Sequence, residues 1–301
     1  MNPTPINDRD EEKNRVEGGT LYLVATPIGN LSDLSPRAVK VLGEVDFIAA
    51  EDTRNTAKLL ACFEIRKPMA SYFEHNKRER GEVIAARLAD GESCALVTDA
   101  GTPAISDPGE DLVALCAERG IPVSVVPGPC AAVSALAVSG LFTAKFVFEG
   151  FLSTATGERR ESLERLKSET RTILLYEAPH KLRTTLADLE KALGDRKISL
   201  CRELTKLHED IWKTTLGEAV EHYKANEPRG EYVLVMAGAP ETADPEQELT
   251  LEQAAQRALE LIGQGLGPTA AAKAAAQGTP YSKSEVYKQL LVLQQGQQAG
   301  E

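Results

Sequence analysis

From residue 21 to residue 126 the chain alternates apolar runs of strand length with stretches of helical periodicity. That alternation is the mark of βαβ units and a mostly parallel sheet. The runs predict strands over residues 21–26, 45–50, 94–98 and 121–126. Between them lie helix-start signals. Ser35 followed by Pro36 predicts an N-cap with proline at the first helical position. Asp107-Pro108-Gly109-Glu110 predicts another start, with Asp107 and Glu110 closing a capping box. A helix over residues 130–139 should stop at Gly140.

The next block predicts strands over residues 146–151, 172–176, 197–202, 211–215 and 232–237, with helices over 157–168 and 180–193. The later strands follow one another too closely for helical crossovers, so some antiparallel pairing and a mixed sheet are expected. Residues 240–248 read as an acidic linker, and beyond them the pattern is wholly helical. Thr250 caps one helix, Pro268 opens a second, and Ser282 with Glu285 forms a capping box for a third. The turn Gly278-Thr279-Pro280-Tyr281 resembles a helix-turn-helix corner, which leaves open a nucleic-acid element or a packing and dimer element. The expected organisation is a disordered lead-in (1–19), an N-terminal α/β domain (20–139), a second α/β domain (140–239), a linker (240–249) and a helical module (250–296). No repeat of fixed period is found.

Composition narrows the classes. The chain has 301 residues, 42% apolar and 26% charged, enough to bury one large core or two moderate ones. Its longest apolar stretches, such as residues 131–138, fall well short of the roughly 20 residues a membrane span needs, so no transmembrane helix is expected. Residues 1–19 lack the apolar region of a signal peptide. The five cysteines (Cys62, Cys94, Cys116, Cys130, Cys201) are odd in number and form no C-x-x-C pair. That spacing argues against a disulfide framework or a zinc site, and a cytoplasmic location is expected. The net charge of −11 counts against indiscriminate nucleic-acid binding. An RNA partner would have to be held by a local basic patch.

Open α/β sheets bind ligands outside the carboxyl ends of their strands. Three loops rich in glycine and proline take that position: TPIGNLSD (26–33), DAGTPAISDPG (99–109) and PGPCAA (127–132). Glycine lets backbone approach a ligand closely, and proline fixes the path of the chain. Any one of them alone reads as an ordinary βα turn; three at equivalent strand ends point to a site. No G-x-G-x-x-G follows the first strand and no G-x-x-x-x-G-K-[ST] occurs, so neither a dinucleotide fingerprint nor a P-loop is supported.

These loops, together with AEDTR (50–54) and YEAPHKL (176–182), resemble the tetrapyrrole methylase superfamily, and within it the branch that modifies ribosomal RNA. The similarity runs from about Leu21 to Gly238, and the helical tail matches that branch's C-terminal extension. The resemblance implies a homodimer of two α/β domains that holds S-adenosylmethionine in the cleft between them. It also implies methylation of a cytidine ribose 2′-oxygen in the decoding region of 16S rRNA, within the small ribosomal subunit. Carried onto this chain, the cosubstrate contacts fall on Asp99, Ala100, Gly101, Thr102, Pro103, Ile105 and Ser106, on Pro127, Gly128, Pro129, Cys130 and Ala131, and on Tyr176 and Ala178. Gly29 and Asn30 would border the transfer site.

Methyl transfer from a sulfonium is an in-line displacement that requires no metal, and positioning supplies much of the rate. A protonated hydroxyl is a poor nucleophile, so a carboxylate or imidazole that takes its proton would help. Glu51 and Asp52 end the second predicted strand, at the mouth of the cleft. Either could be the base, or Asp52 could cap the next helix while Glu51 is a solvated strand-end charge. His180 could face the same cleft or merely start a helix. Cys130 lies beside the expected cosubstrate, but the chemistry calls for no thiol. Arg54, Lys181 and Arg183 are candidates for gripping RNA phosphates. The run Arg159, Arg160, Arg165, Lys167 and Arg171 is interleaved with glutamates and reads as a salt-bridged, solvated face. Two other readings compete: a relative acting on a corrin-type acceptor, and a DNA-binding regulator. Against the second stands the scarcity of cations in the tail, which carries Lys273, Lys283 and Lys288 on its last two helices.

Overall fold

The computed structural model describes residues 15–240, 250–277, 279 and 281–298, the side chains of 295–298 excepted. The chain divides into two compact units, Met1–Gly238 and Ala239–Glu301. The first contains two five-stranded sheets.

The first sheet is built from β1 (Leu21–Val24), β2 (Phe47–Ala50), β3 (Met69–Ser71), β4 (Cys94–Val97) and β5 (Val123–Val126), all parallel, in the order β3-β2-β4-β1-β5. Strands β2 and β4 are buried at every position, as strands covered on both faces must be. One face packs under α1 (Pro36–Glu44) and α2 (Thr53–Cys62), where Val41, Leu42 and Leu60 meet Val24, Ile48 and Val97. The other packs under α3 (Lys77–Ala89) and α4 (Glu110–Glu118), where Ile84, Leu88 and Leu112 meet Leu21, Phe47 and Leu96. β3 escaped the sequence pattern because it is only three residues long and none of them is buried.

Of the side-chain caps expected from the sequence, those of Ser35, Thr250 and Ser282 form and that of Asp107 does not. Ser35 Oγ accepts from the Ala38 amide at 3.1 Å, with Pro36 at the first helical position. The expected capping box at Asp107 does not form: α4 starts at Glu110, its N-cap is Gly109 at φ 148°, and no side chain caps it. A positive φ of that size suits glycine, and its choice as the cap leaves Asp107 free.

The second sheet comprises β6 (Phe146–Phe151), β7 (Thr172–Glu177), β8 (Lys197–Arg202), β9 (Asp210–Thr215) and β10 (Tyr232–Met236), in the order β6-β7-β10-β8-β9. Only β6 and β7 are parallel; the rest of the ladder is antiparallel, giving the mixed sheet that the short connections demand. Helices α6 (Thr156–Lys167), α7 (Pro179–Leu193) and α8 (Leu216–Ala225) cover one face through Leu166, Leu186 and Leu216. The helix between the sheets in chain order, α5 (Ala131–Val138), covers the other. It packs Ala132, Ala135 and Leu136 against Leu174, Val233 and Val235. It therefore follows a strand of the first sheet and packs on the second. The charged surface of α6 is laced with ion pairs, Arg159 to Asp188 at 2.8 Å and Lys167 to Glu164 at 2.6 Å among them.

The C-terminal unit consists of α9 (Leu251–Gly263), α10 (Pro268–Ala276) and α11 (Lys283–Gln298). Ala254, Ala258, Ala271 and Ala275 form its core with Val286 and Leu290. Thr250 and Gln253 close a capping box at the first helix, and Ser282 and Glu285 close one at the third. Gly278 and Pro280 of the corner, residues 241–249 of the linker and residues 1–14 of the lead-in lie outside the described residues.

Candidate active site

Strands β4, β1 and β5 are neighbours and run parallel, so their carboxyl ends emerge side by side at one sheet edge. The three glycine- and proline-rich loops leave the sheet there. They are fastened to one another by short polar links. Thr26 and Gly101 exchange backbone hydrogen bonds at 2.9 and 3.1 Å, and Thr102 Oγ1 donates to the Pro129 carbonyl at 3.0 Å. Gly101 has a φ of 87°, which excludes most side chains. At Gly128 a Cβ would lie 2.9 Å from the Ala25 Cβ, so the crossing requires a glycine.

These loops form one wall of a cavity of about 340 Å³, within the roughly 300–1,000 Å³ typical of small-molecule sites. Eleven residues named from the sequence line it: Glu51, Asp99, Ala100, Gly101, Thr102, Ile105, Ser106, Cys130, Ala131, Tyr176 and Ala178. The facing wall comes from the second sheet. There Tyr176 accepts a hydrogen bond from the Ala132 amide at 3.1 Å, tying β7 to the first turn of α5. Its ring meets Phe148 and Phe151 edge-on at 4.9 and 5.6 Å. Burial pushes its phenol up to about 12.

The remaining candidates lie elsewhere. Gly128 and Pro129 line a shallower adjoining pocket together with Cys130, Pro103 is buried within its loop, and Pro127 is exposed. Gly29 abuts the turn between β8 and β9; a Cβ on it would fall 2.4 Å from Lys206 Cγ and 3.2 Å from the Leu204 carbonyl oxygen. Asp52 caps α2 by accepting from the Arg54 amide at 2.8 Å. The Arg54 guanidinium grips the same carboxylate at 2.7 and 3.1 Å and holds it down at about 2. His180 is exposed on the first turn of α7, Lys181 is half-buried, and Arg183 donates to the Asn226 carbonyl at 3.1 Å.

Residues that the sequence did not propose for the site also meet here. Asp107 joins the cavity wall, and burial, reinforced by the charges of Glu51 and Asp99, raises its carboxyl to about 7. Glu51 is raised too, chiefly by burial, although the Asp99 amide donates to it at 3.4 Å. On the opposite wall, Lys206 Nζ bridges Glu203 at 2.9 Å and Glu231 at 3.0 Å. Glu203 and Thr205 both adopt positive φ, 51° and 66°, conformations that non-glycine residues rarely hold. The hydroxyl of Thr205 is buried with no hydrogen-bond partner among the described residues. The sequence did carry a signal for Asp107, which lies inside a loop already marked, but it was spent on a helix cap. The charges of residues 203–209 follow a strand end without any motif.

The lining thus combines apolar side chains (Ile28, Ile105, Phe151, Leu204, Val233), exposed backbone and an excess of carboxylates. Such a cavity suits a small molecule with an apolar body and positive charge. Two mixed or parallel sheets holding it at their strand ends define a class, and the family model described as Tetrapyrrole (Corrin/Porphyrin) Methylases matches residues 20–220. In the same fold is the crystal structure of uroporphyrin-III C-methyl transferase from Thermus thermophilus complexed with S-adenyl homocysteine. It has a TM-score of 0.53 and 17% identity, and the match covers 72% of this chain and 96% of that one. Closer in sequence is a protein of Synechocystis sp., 48% identical over 92% of this chain and 99% of its own length. Another, from Pseudomonas aeruginosa, is 44% identical over 92% and 98%. Both are named ribosomal RNA small subunit methyltransferase I. The chain belongs to the tetrapyrrole methylase family and, within it, to the ribosomal RNA small subunit methyltransferase I group; it is a methyltransferase.

Proposed function

We propose that the chain binds S-adenosylmethionine in the acid-lined cavity and transfers its methyl group to the ribose 2′-oxygen of a cytidine in the decoding region of 16S rRNA. The observation that carries this reading is the cavity at the carboxyl ends of β4, β1 and β5, where Glu51, Asp99 and Asp107 face a wall that combines Phe151, Tyr176, Leu204 and Val233 with Glu203, Lys206 and Glu231. Carboxylates in a partly dry cavity favour a sulfonium and an ammonium over a neutral or anionic ligand. Backbone from Asp99 to Ser106 and from Cys130 to Ala131, with Tyr176 and Ala178, would hold the molecule, and Gly29 would border the point of transfer. When bound, the sulfonium supplies an electrophilic methyl carbon with a neutral leaving group.

The identity of the relatives supports RNA as the acceptor, and the site's charge sets a condition on how it binds. Phosphates are repelled by the cavity mouth, so RNA must be gripped away from it, with Arg54, Lys181 and Arg183 as the candidates. Arg54, its side chain 86% exposed, is already neutralised by Asp52 and would have to share that partner. We also propose a homodimer acting in the cytoplasm on the small ribosomal subunit. No helix among the described residues is long and apolar enough to cross a membrane.

The test is to incubate the protein with methyl-labelled S-adenosylmethionine and either small ribosomal subunits or tetrapyrroles, then digest the RNA to nucleosides. Label in 2′-O-methylcytidine is expected. Label in the tetrapyrrole alone would replace this reading with the corrin-type one.

A further inference from the structure

Six acidic residues line the cavity, and five of them are tied to the protein. Glu51 accepts from the Asp99 amide, and Asp99 accepts from Asn55 Nδ2 at 2.9 Å. Glu177 accepts from the Ala178 amide and from the Thr185 hydroxyl. Glu203 accepts from Lys206 and from the Glu231 amide, and Glu231 pairs with Lys206. Asp107 is different: no hydrogen bond and no ion pair among the described residues reaches its carboxylate. Half-buried carboxylates are normally satisfied, because an unpaired one loses hydration without compensation.

The loop presents it under strain. Ala104 and Ser106 both hold positive φ, 67° and 63°, and Gly109 takes over the capping of α4 that Asp107 would otherwise perform. Strain of this kind persists where surrounding structure enforces it, and it clusters at functional sites. Three arrangements therefore cooperate to keep one carboxylate out of every local hydrogen bond and at the wall of the cavity.

Resting on the reading of the cavity as the site of methyl transfer, we propose that Asp107 is the catalytic base that takes the proton from the acceptor hydroxyl. In that step the O–H bond breaks and its proton passes to an Asp107 carboxylate oxygen. The hydroxyl oxygen's electron pair forms the new O–CH3 bond. The CH3–S bond breaks with its pair going to sulfur, which becomes a neutral thioether, and Asp107 later releases the proton to water. The groups facing it are Glu51 from the end of β2, Asp99 after β4 and Tyr176 from β7; burial, reinforced by the charges of the first two, raises its carboxyl to about 7. A base in that range is well matched to operation near pH 7. The alternatives are less suited. Glu51 already accepts from the Asp99 amide, Asp52 is held near 2 by Arg54, and His180 is outside the cavity wall.

The experiment compares wild type, Asp107→Asn and Asp107→Glu in three readouts. These are single-turnover methyl transfer to small ribosomal subunits from pH 5.5 to 9, calorimetric affinity for S-adenosylhomocysteine, and a carboxyl NMR titration of the ligand-free protein. The wild-type rate is expected to rise about tenfold per pH unit and level off above about 7. Asp107→Asn should lose roughly 10²–10⁴-fold in rate and the pH limb with it, while S-adenosylhomocysteine affinity stays within about twofold. Asp107→Glu should regain part of the rate with a displaced limb. The NMR signal that disappears in Asp107→Asn should titrate near 7 in wild type. The proposal is overturned if Asp107→Asn keeps the wild-type pH limb, or if its loss is one of cosubstrate affinity, which would make Asp107 a binding group. A carboxyl that titrates near 4 would also overturn it. Absence of any S-adenosylhomocysteine binding by wild type would instead defeat the reading of the cavity itself.

Discussion

Asp107 carries a cost that can be measured apart from catalysis. Its folded-state carboxyl, at about 7, binds a proton more tightly than the unfolded chain's near 3.8. Between those values the native state holds the extra proton, so stability contributed by this residue falls as pH rises through the window. Above about 7 the folded protein bears an uncompensated charge. Asp107→Asn should therefore melt at a higher temperature than wild type at pH 8 and at nearly the same temperature at pH 4, in parallel thermal scans. Tyr176 makes the opposite kind of contribution, since its oxygen satisfies the Ala132 amide. Tyr176→Phe leaves that amide without its acceptor, and urea unfolding should show a loss of about 1–3 kcal/mol. At this scale the sequence told much about position and less about role. Asp99, Gly101, Ser106 and Tyr176 were legible because glycine, proline and strand-end position mark them. Asp52 takes the capping role that the sequence had left open beside the chemical one, and Asp107 does not make the cap expected of it. One carboxylate caps a helix where chemistry was a candidate, and the other faces a cavity where a cap was expected. At α4 the N-cap falls to Gly109 at φ 148°, and the Asp-x-x-Glu spacing does not encode that shift.

Most elements were legible from periodicity and caps. Ser35, Thr250 and Ser282 stand at the helix starts expected of them, since a hydroxyl before an apolar helical repeat has few other uses. The three-residue β3 was not legible, because it gains its place from pairing with β2 and not from its own side chains. Equally hidden was the strained turn between β8 and β9, whose residues reach the site only because the sheets bring them there. Gly29 tests how closely that turn and the loop after β1 fit. A Cβ would meet Lys206 Cγ at 2.4 Å and Thr205 Oγ1 at 3.0 Å, and Lys206 is restrained by two carboxylates. Gly29→Ala should keep the fold by circular dichroism yet weaken S-adenosylhomocysteine about tenfold, or about 1.4 kcal/mol. Unchanged affinity would show that the approach of the two loops does not shape the site.

In the Met1–Gly238 unit, one sheet supplies loops and the other supplies a lid-like wall, with α5 following the first and packing on the second. The parallel and mixed sheets could be told apart in the sequence because long connections permit helical crossovers and short ones do not. That α5 would cover the second sheet could not, since an apolar helix of eight residues has no face that names its partner. The whole account rests on a small cationic cosubstrate being held where those two walls meet. Isothermal calorimetry with S-adenosylmethionine and S-adenosylhomocysteine, with and without small ribosomal subunits, reads this directly. Saturable binding at one site per chain, weakened in Gly29→Ala, is the expected result; no heat of binding for either molecule under both conditions would contradict it.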